Sequence, residues 1–233
     1  MSRVLVTRAA DDAEALVVLL AEAGHQPVVA PMVAREPAPP PRQDPFAKVP
    51  EPDVLLLTSA AAAVALTDRL PPGFAPRRVC CVGPATAQAA ADLGLDVDEV
   101  PEGRTGADAV RLLGDLRGQR VLWPRAEEAT AATTRALIAS GATFVDVVVY
   151  RTVPHPGAAA LLAAAGPVDL VTLTAPSIAR TYAAARAATP AHGTPPVGTI
   201  GPTTTAACEA LGLEVLAEAV PPGLEGLVAA LPR

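Results

Sequence analysis

The sequence predicts an α/β protein: two doubly wound parallel-sheet domains related by an internal repeat. The repeat is the first observation. Arg3-Val4-Leu5-Val6-Thr7-Arg8 matches Arg120-Val121-Leu122-Trp123-Pro124-Arg125 at an offset of 117 residues. Asp53-Val54-Leu55-Leu56-Leu57-Thr58 matches Asp169-Leu170-Val171-Thr172-Leu173-Thr174 at 116. Gly83-Pro84-Ala85-Thr86 matches Gly201-Pro202-Thr203-Thr204 at 118, as Leu93-Gly94-Leu95 does Leu211-Gly212-Leu213. Four matches in one order, all near half of 233 residues, mark a tandem duplication. The second observation is a set of short apolar runs without alternation, as in strands buried on both faces. The third is the helical segments that lie between those runs, joined by short polar turns.

The elements follow in order. Residues 3–7 form a buried strand, and 11–23 a helix with acids in its first turn and Gly24 as its stop. Residues 27–30 form a second strand, followed by a Pro-dense connector over 37–52. Further strands fit at 54–58, 78–82 and 96–100, with helices at 60–70, 84–93 and 106–116. The second half repeats the scheme. Its apolar strand 143–149 ends at Tyr150, and its own break falls at Pro154-His155-Pro156-Gly157. Two domain divisions fit this pattern. The domains are the linear halves, or the chain crosses over near 35–41 and 151–157 so that one domain is inserted in the other. Breaks at matching places in both halves favour the crossover.

Composition excludes several classes. A net charge of -6 and a pI near 5.1 leave no broad basic field for phosphate backbones or anionic membranes. At 3% aromatic residues, stacking platforms for bases are not expected either. Lys48, the sole lysine, lies in the Pro-rich stretch, an unsuitable place for a Schiff-base or Walker lysine. Cys80, Cys81 and Cys208 have apolar neighbours and no disulfide or zinc spacing, so they read as buried hydrophobes in a reducing compartment. No signal peptide or membrane span is expected, which places the protein in the cytoplasm. His25, His155 and His192 are scattered, and no metal site is expected. No dinucleotide fingerprint, P-loop or nucleophile elbow is present.

The chemistry sits at strand-to-helix turns. Thr58-Ser59, Gly83-Pro84-Ala85-Thr86, Thr174-Ala175-Pro176-Ser177 and Gly201-Pro202-Thr203-Thr204 each end a strand and open a helix. Pro in the first helical turn loses no hydrogen bond, and hydroxyls there cap the helix or bind ligand. Such turns gather at the carboxyl edge of a parallel sheet, where ligands bind. Two such edges facing each other would line a cleft rich in N–H and O–H donors, suited to a polyanion. Arg8 and Arg125 occupy matching positions and either take carboxylates bidentately or are solvated surface arginines. Tyr150, at the strand end, is either packing with a wetted hydroxyl or a proton donor.

RVLVTR, DVLLLTS, CVGPATAQAAADLGLDV, VVVYRTVPHPG, LTAPS and TIGPTTTAACEALGLEV, in that order, make the chain resemble the uroporphyrinogen-III synthase family over essentially its whole length. The resemblance implies two α/β domains joined by a two-strand linker. Residues 1–34 with 154–233 would form a discontinuous domain, 37–150 an inserted one, and 35–36 and 151–153 the linkers. It implies closure of hydroxymethylbilane to uroporphyrinogen III, with loss of water and inversion of the last ring, by a monomer without cofactor. The eight carboxylates of that substrate suit the donor-lined cleft. By family position Tyr150 would donate to the leaving hydroxyl. Thr203, Thr204, Ser59, Thr86 and Ser177 match cleft positions, and Thr58, Gly83, Gly201, Arg8 and Arg125 complete the expected substrate contacts. Ala175, where relatives often carry Ser, and Ala61, where they often carry Asn, depart from the pattern. A non-catalytic tetrapyrrole- or anion-binding homologue is the alternative, and a different hinged small-molecule binder a third reading.

Overall fold

A computed structural model describes residues 1–39, 45–49, 51–102, 105–128 and 131–232. In chain order the elements begin with β1 (Arg3–Val6), α1 (Glu14–Glu22), β2 (Gln26–Val29), β3 (Val33–Pro37), α2 (Pro45–Lys48), β4 (Val54–Leu57) and α3 (Ala60–Val64). β5 (Val79–Cys81), α4 (Pro84–Asp92), α5 (Gly106–Leu113), β6 (Arg120–Ala126), α6 (Ala131–Ala139) and β7 (Thr143–Pro154) follow. The chain continues through α7 (Ala158–Ala165), β8 (Leu170–Leu173), α8 (Pro176–Ala187), β9 (Val197–Thr199), α9 (Pro202–Ala210), β10 (Val215–Glu218) and α10 (Leu224–Ala230). It divides into two compact units: Met1–Arg35 with Val153–Arg233, and Glu36–Thr152.

The first unit carries the sheet β10-β9-β8-β1-β2, in which every pairing is parallel. Alternate strand residues face opposite ways. Leu5, Val171 and Leu173 pack on Leu162, Ile178 and Tyr182 of α7 and α8, whereas Val4, Val6 and Leu170 pack on Leu16 and Leu20 of α1 and Leu227 of α10. With helices on both faces, both strand faces must be apolar, which explains the unbroken runs in the sequence. The second unit carries β3-β7-β6-β4-β5. Leu55, Leu57 and Leu122 meet Ala62 and Ala63 of α3 and Ala90 of α4 on one face. Val54, Leu56, Val121 and Trp123 meet Ala109 and Val110 of α5 and Leu137 of α6 on the other. Each fully buried Leu or Val side chain contributes roughly 1.5–3 kcal/mol.

The repeat extends to the hydrogen-bond register. Val4 pairs with Leu170, and at the matching offsets Val121 pairs with Val54. Arg3 pairs with Gln26 and Arg120 with Thr143; Val171 pairs with Val197 and Leu55 with Val79. Single side-chain bonds repeat too. The Arg3 N–H donates to Asp169 Oδ2 at 2.7 Å and the Arg120 N–H to Asp53 Oδ2 at 2.8 Å.

Several elements differ from the sequence reading. The 11–23 segment is a 3-10 turn at Ala10–Asp12 followed by α1. Helix 60–70 stops at Val64, where the Thr67 hydroxyl donates to the Val64 carbonyl at 2.7 Å. Helix 106–116 ends at Leu113. Residues 96–100 make only a single bridge, Glu99 to Cys80. There the Asp98 carboxylate takes the Val79 N–H at 2.7 Å, and Arg78 holds Glu99, so acidic side chains replace a ladder. Within the 37–52 connector, residues 40–44 and 50 lie outside the described residues, and α2 buries Phe46. Strand 143–149 does not end before Tyr150: β7 runs on to Pro154 beside β3. The Ala38 N–H donates to the Val149 carbonyl and the His155 N–H to that of Met32, each near 3 Å, an antiparallel pattern that periodicity could not reveal. The three cysteines are free and buried, and burial pushes Cys80 up to about 12 and Cys81 and Cys208 up to about 11. Among the described residues, no helix is long and apolar enough to cross a membrane, and no group of His, Cys, Asp or Glu is placed to hold a metal ion.

Candidate functional site

At the carboxyl edge of the second unit's sheet lies a cavity of about 440 Å³. Thr58 and Ser59 after β4, Trp123 and Arg125 on β6, Tyr150 on β7 and Thr133 on α6 converge on it. Ser59 is extended and caps α3, its Oγ accepting the Ala62 N–H at 3.1 Å. The same Oγ lies 3.2 Å from the Tyr150 hydroxyl. Tyr150 is 9% exposed, its ring packed with Leu57, Leu122 and Val149 and its edge lining the cavity. The indole N–H of Trp123 donates to Thr58 Oγ1 at 3.3 Å. That bond occupies one lone pair of the hydroxyl and fixes its orientation.

Charge enters through exposed Glu128 and two arginines of unlike exposure. The Arg111 side chain is 70% exposed and pairs with Asp108 one turn earlier on α5. Asp108 also accepts from Thr105 in a capping box, and hydrogen bonds from the Thr105 hydroxyl and from Arg111 hold its carboxyl below the usual carboxylate range. Arg125 is 21% exposed, and its guanidinium is engaged by Asp146 on β7 and by two main-chain carbonyls. Gly106 allows α5 to start against this wall, because a Cβ there would lie 2.5 Å from Thr133 Oγ1 and 2.9 Å from Thr58 Cγ2.

Of the residues expected from the sequence, the cavity gathers Thr58, Ser59, Arg125 and Tyr150. Gly83 and Thr86 open α4 in the same unit and are not among its lining residues. Gly83 has φ +82°, a conformation that favours glycine, and Thr86 is buried. The other five belong to the first unit. Ser177 is half-buried in the first turn of α8; at the start of α9, Gly201 and Thr204 are buried and Thr203 is exposed. Arg8 is paired with Asp12. The sequence reading did not place Trp123, Thr105, Gly106 or Thr133 at a site. The Thr105-Gly106-Ala107-Asp108 capping box was a readable signal for one wall.

Fold and site together define a two-domain, doubly wound α/β protein with a hydroxyl-rich cavity at a sheet's carboxyl edge. A family model described as uroporphyrinogen-III synthase HemD matches residues 14–229, and the chain belongs to that family. It is 27% identical over 147 residues to a uroporphyrinogen-III synthase of Chlorobaculum parvum. That alignment covers 59% of this chain and spans only 58% of the relative's length. The uroporphyrinogen-III synthetase of Helicobacter pylori shares the fold with a TM-score of 0.62 at 19% identity, over 98% of this chain and 96% of that one. A mutant uroporphyrinogen III synthase of Thermus thermophilus does so with a TM-score of 0.52 at 20% identity and the same coverage.

Proposed function

We propose that the protein closes hydroxymethylbilane to uroporphyrinogen III in tetrapyrrole (haem) biosynthesis, with loss of water and inversion of the last ring. The observation that carries this reading is the Ser59–Tyr150 hydroxyl pair in the cavity of a chain of this family. Departure of the hydroxyl leaves an electrophilic azafulvene. The substituted carbon of the last ring attacks it to give a spiro intermediate, which fragments and recloses with that ring inverted. Tyr150 donates the proton that turns the leaving hydroxyl into water, and Ser59, anchored on the α3 N–H of Ala62, holds the phenol in place. Thr58, fixed by Trp123, offers a donor to a substrate carboxylate. The main task is to fold a flexible chain so that its ends meet. Ser177, Gly201, Thr203 and Thr204 are the first unit's contribution to substrate binding in this reading.

The same reading has the protein act as a cytoplasmic monomer. Light scattering of the purified protein tests its oligomeric state. The activity is tested by supplying freshly generated hydroxymethylbilane without metal and separating the uroporphyrin isomers after oxidation. Predominantly type III product is expected. Only the spontaneous type I isomer would refute the activity and leave a tetrapyrrole-binding homologue.

A further inference from the structure

We propose that Arg125 is a positioning residue for Tyr150: its guanidinium fastens the ends of β6 and β7 across a bulge that aims the Tyr150 ring at the cavity. The inference rests on the proposed cyclisation and on Tyr150 as its proton donor. β6 and β7 pair in regular parallel register from Arg120 with Thr143 to Arg125 with Val148. The next pair is Ala126 with Tyr150, so Val149 is an extra residue on β7. A bulge of this kind bends its strand and re-aims the side chains that follow. Burial along β7 shows the effect. Val147 and Val149 are buried with half-buried Val148 between them, and then Tyr150 is buried directly after Val149, in the same apolar cluster. Strict alternation would have put Tyr150 on the face of Val148.

A bulge weakens the ladder it interrupts, and Arg125 spans the weak place. Its Nε and Nη2 each lie 2.6 Å from Asp146 Oδ2 on β7, before the bulge. Its Nη1 donates to the carbonyls of Ala126 at 2.9 Å and Glu127 at 3.1 Å, beyond it. The Glu127 N–H in turn donates to the Tyr150 carbonyl at 2.9 Å. The guanidinium carbon sits 5.7 Å from the Trp123 ring centroid, so the fork is held from below as well. All three guanidinium nitrogens have partners inside the unit, and Asp146 balances the charge. Little of the fork is left for a substrate carboxylate. Lysine, with one nitrogen, cannot bridge these partners together.

If the clamp loosens, the phenol shifts while the substrate-contacting groups stay. An error of about 1 Å in such a group can cost about 10²-fold in rate. The test is steady-state kinetics of isomer III formation by wild type, Arg125→Lys and Asp146→Asn, with melting temperatures alongside. Both variants should lose about tenfold in kcat, a smaller loss than full misplacement because a partial clamp survives, and keep KM within about twofold. Combined with Tyr150→Phe, Arg125→Lys should cost less than it does alone, because the atom it positions is gone. A KM raised by Arg125→Lys with kcat retained would overturn the inference. So would a KM lowered by Asp146→Asn, since the freed guanidinium would then be capturing substrate. Unchanged kcat in both variants would overturn it too. If Arg125→Lys does not fold, Asp146→Asn decides alone. A wild-type protein that gives only the type I isomer removes the cyclisation reading and this inference with it, and that arm is read before the variants are compared.

Discussion

Arg8, two residues past β1, and Arg125, inside β6, hold one position of the repeat and make different use of it. Arg8 bonds within its own turn, its Nε donating to the Asp12 carbonyl at 2.9 Å and its fork pairing with the Asp12 carboxylate. Arg35 adds a second cation at Asp11 and Asp12. Arg125 reaches across to the next strand instead. The surroundings differ in the same sense. Where the second unit has Trp123, Ser59 and Tyr150, the first has Val6, Ala175 and Val33 at the matching offsets, with Val6 and Val33 buried. Register and the twin Asp bonds repeat residue for residue while the edge does not. Main-chain pairing and two-sided burial fix the framework, so edge side chains can diverge without disturbing it.

The largest effect is expected from removing the Tyr150 hydroxyl at the second unit's edge, where the first unit has Val33. Tyr150→Phe keeps the ring and its packing and deletes the hydroxyl. Turnover should fall about 10²-fold, the lower range for a general acid, because water can partly substitute. Product affinity and melting temperature should hold. A wild-type rate in Tyr150→Phe would return Tyr150 to a packing role and leave the two edges chemically alike.

The next effect is steric. Gly106 opens α5, and at the matching offset the first unit opens α10 with Leu224, a side chain accepted into that face's cluster. Gly106→Ala would drive a methyl into Thr133 and Thr58, at a cost of about 1–3 kcal/mol and with Thr58 displaced from the cavity wall. Denaturant unfolding followed by Trp123, the sole tryptophan and a resident of that wall, measures it. A shift below about 0.5 kcal/mol would mean that α5 retreats freely.

These differences also separate what the sequence made legible from what it did not. Both-sided burial writes strands as apolar runs, so β1 and β4 were readable to within a residue. The offsets of the repeat tie the two registers together without giving either, since Val4–Leu170 and Val121–Val54 are one pair written twice. Ser59 and Thr58 were readable because a capping hydroxyl after a strand has a local pattern. The bulge at Val149 was not, because it exists only relative to β6. Periodicity did not show the extension of β7 past Tyr150 either, although the family resemblance implied a two-strand linker there; the pairing depends on β3 more than 100 residues away, as the Arg151–Glu36 pair at 3.0 Å illustrates. The roles of Trp123 and Arg125 depend on partners brought together by those pairings.

A smaller effect sharpens the likeness of the two units. Asp53 and Asp169 each accept a backbone N–H from the strand alongside. Asp53 has 21% side-chain exposure and lies within 4 Å of both Arg77 and Arg120, whereas Asp169 is exposed. Replacing either by Ala should cost about 1 kcal/mol, with Asp53 the larger, since exposed charge-assisted bonds fall at the low end of their range. Chemical denaturation of the two variants compares them. A negligible loss at both would mean that the repeated bond follows from the fold without supporting it.

The two units also differ in composition. His25, His155 and His192 all belong to the first unit, and the second has no histidine. His192 is 6% exposed, edge-on to the Tyr182 ring with centroids 6.0 Å apart, and neither ring nitrogen has a hydrogen-bond partner. Burial, helped by the positive charge of Arg186, lowers its pKa from 6.5; the nearby Gly166 backbone opposes the shift without reaching hydrogen-bond geometry. The neutral ring is therefore the folded form. Above pH 6.5 the unfolded chain also carries it neutral, and no penalty applies. As pH falls below 6.5, the unfolded chain takes up a proton that the folded one resists, and stability drops by up to about 1.4 kcal/mol per pH unit until the folded ring protonates as well. Melting temperatures of wild type and His192→Phe between pH 7.5 and 5.5 isolate this contribution from the carboxylates common to both. The wild-type curve should fall more steeply over that window, with the loss seen by circular dichroism before Trp123 fluorescence in the second unit reports it. Parallel curves would mean that His192 is protonated within the fold as readily as outside it.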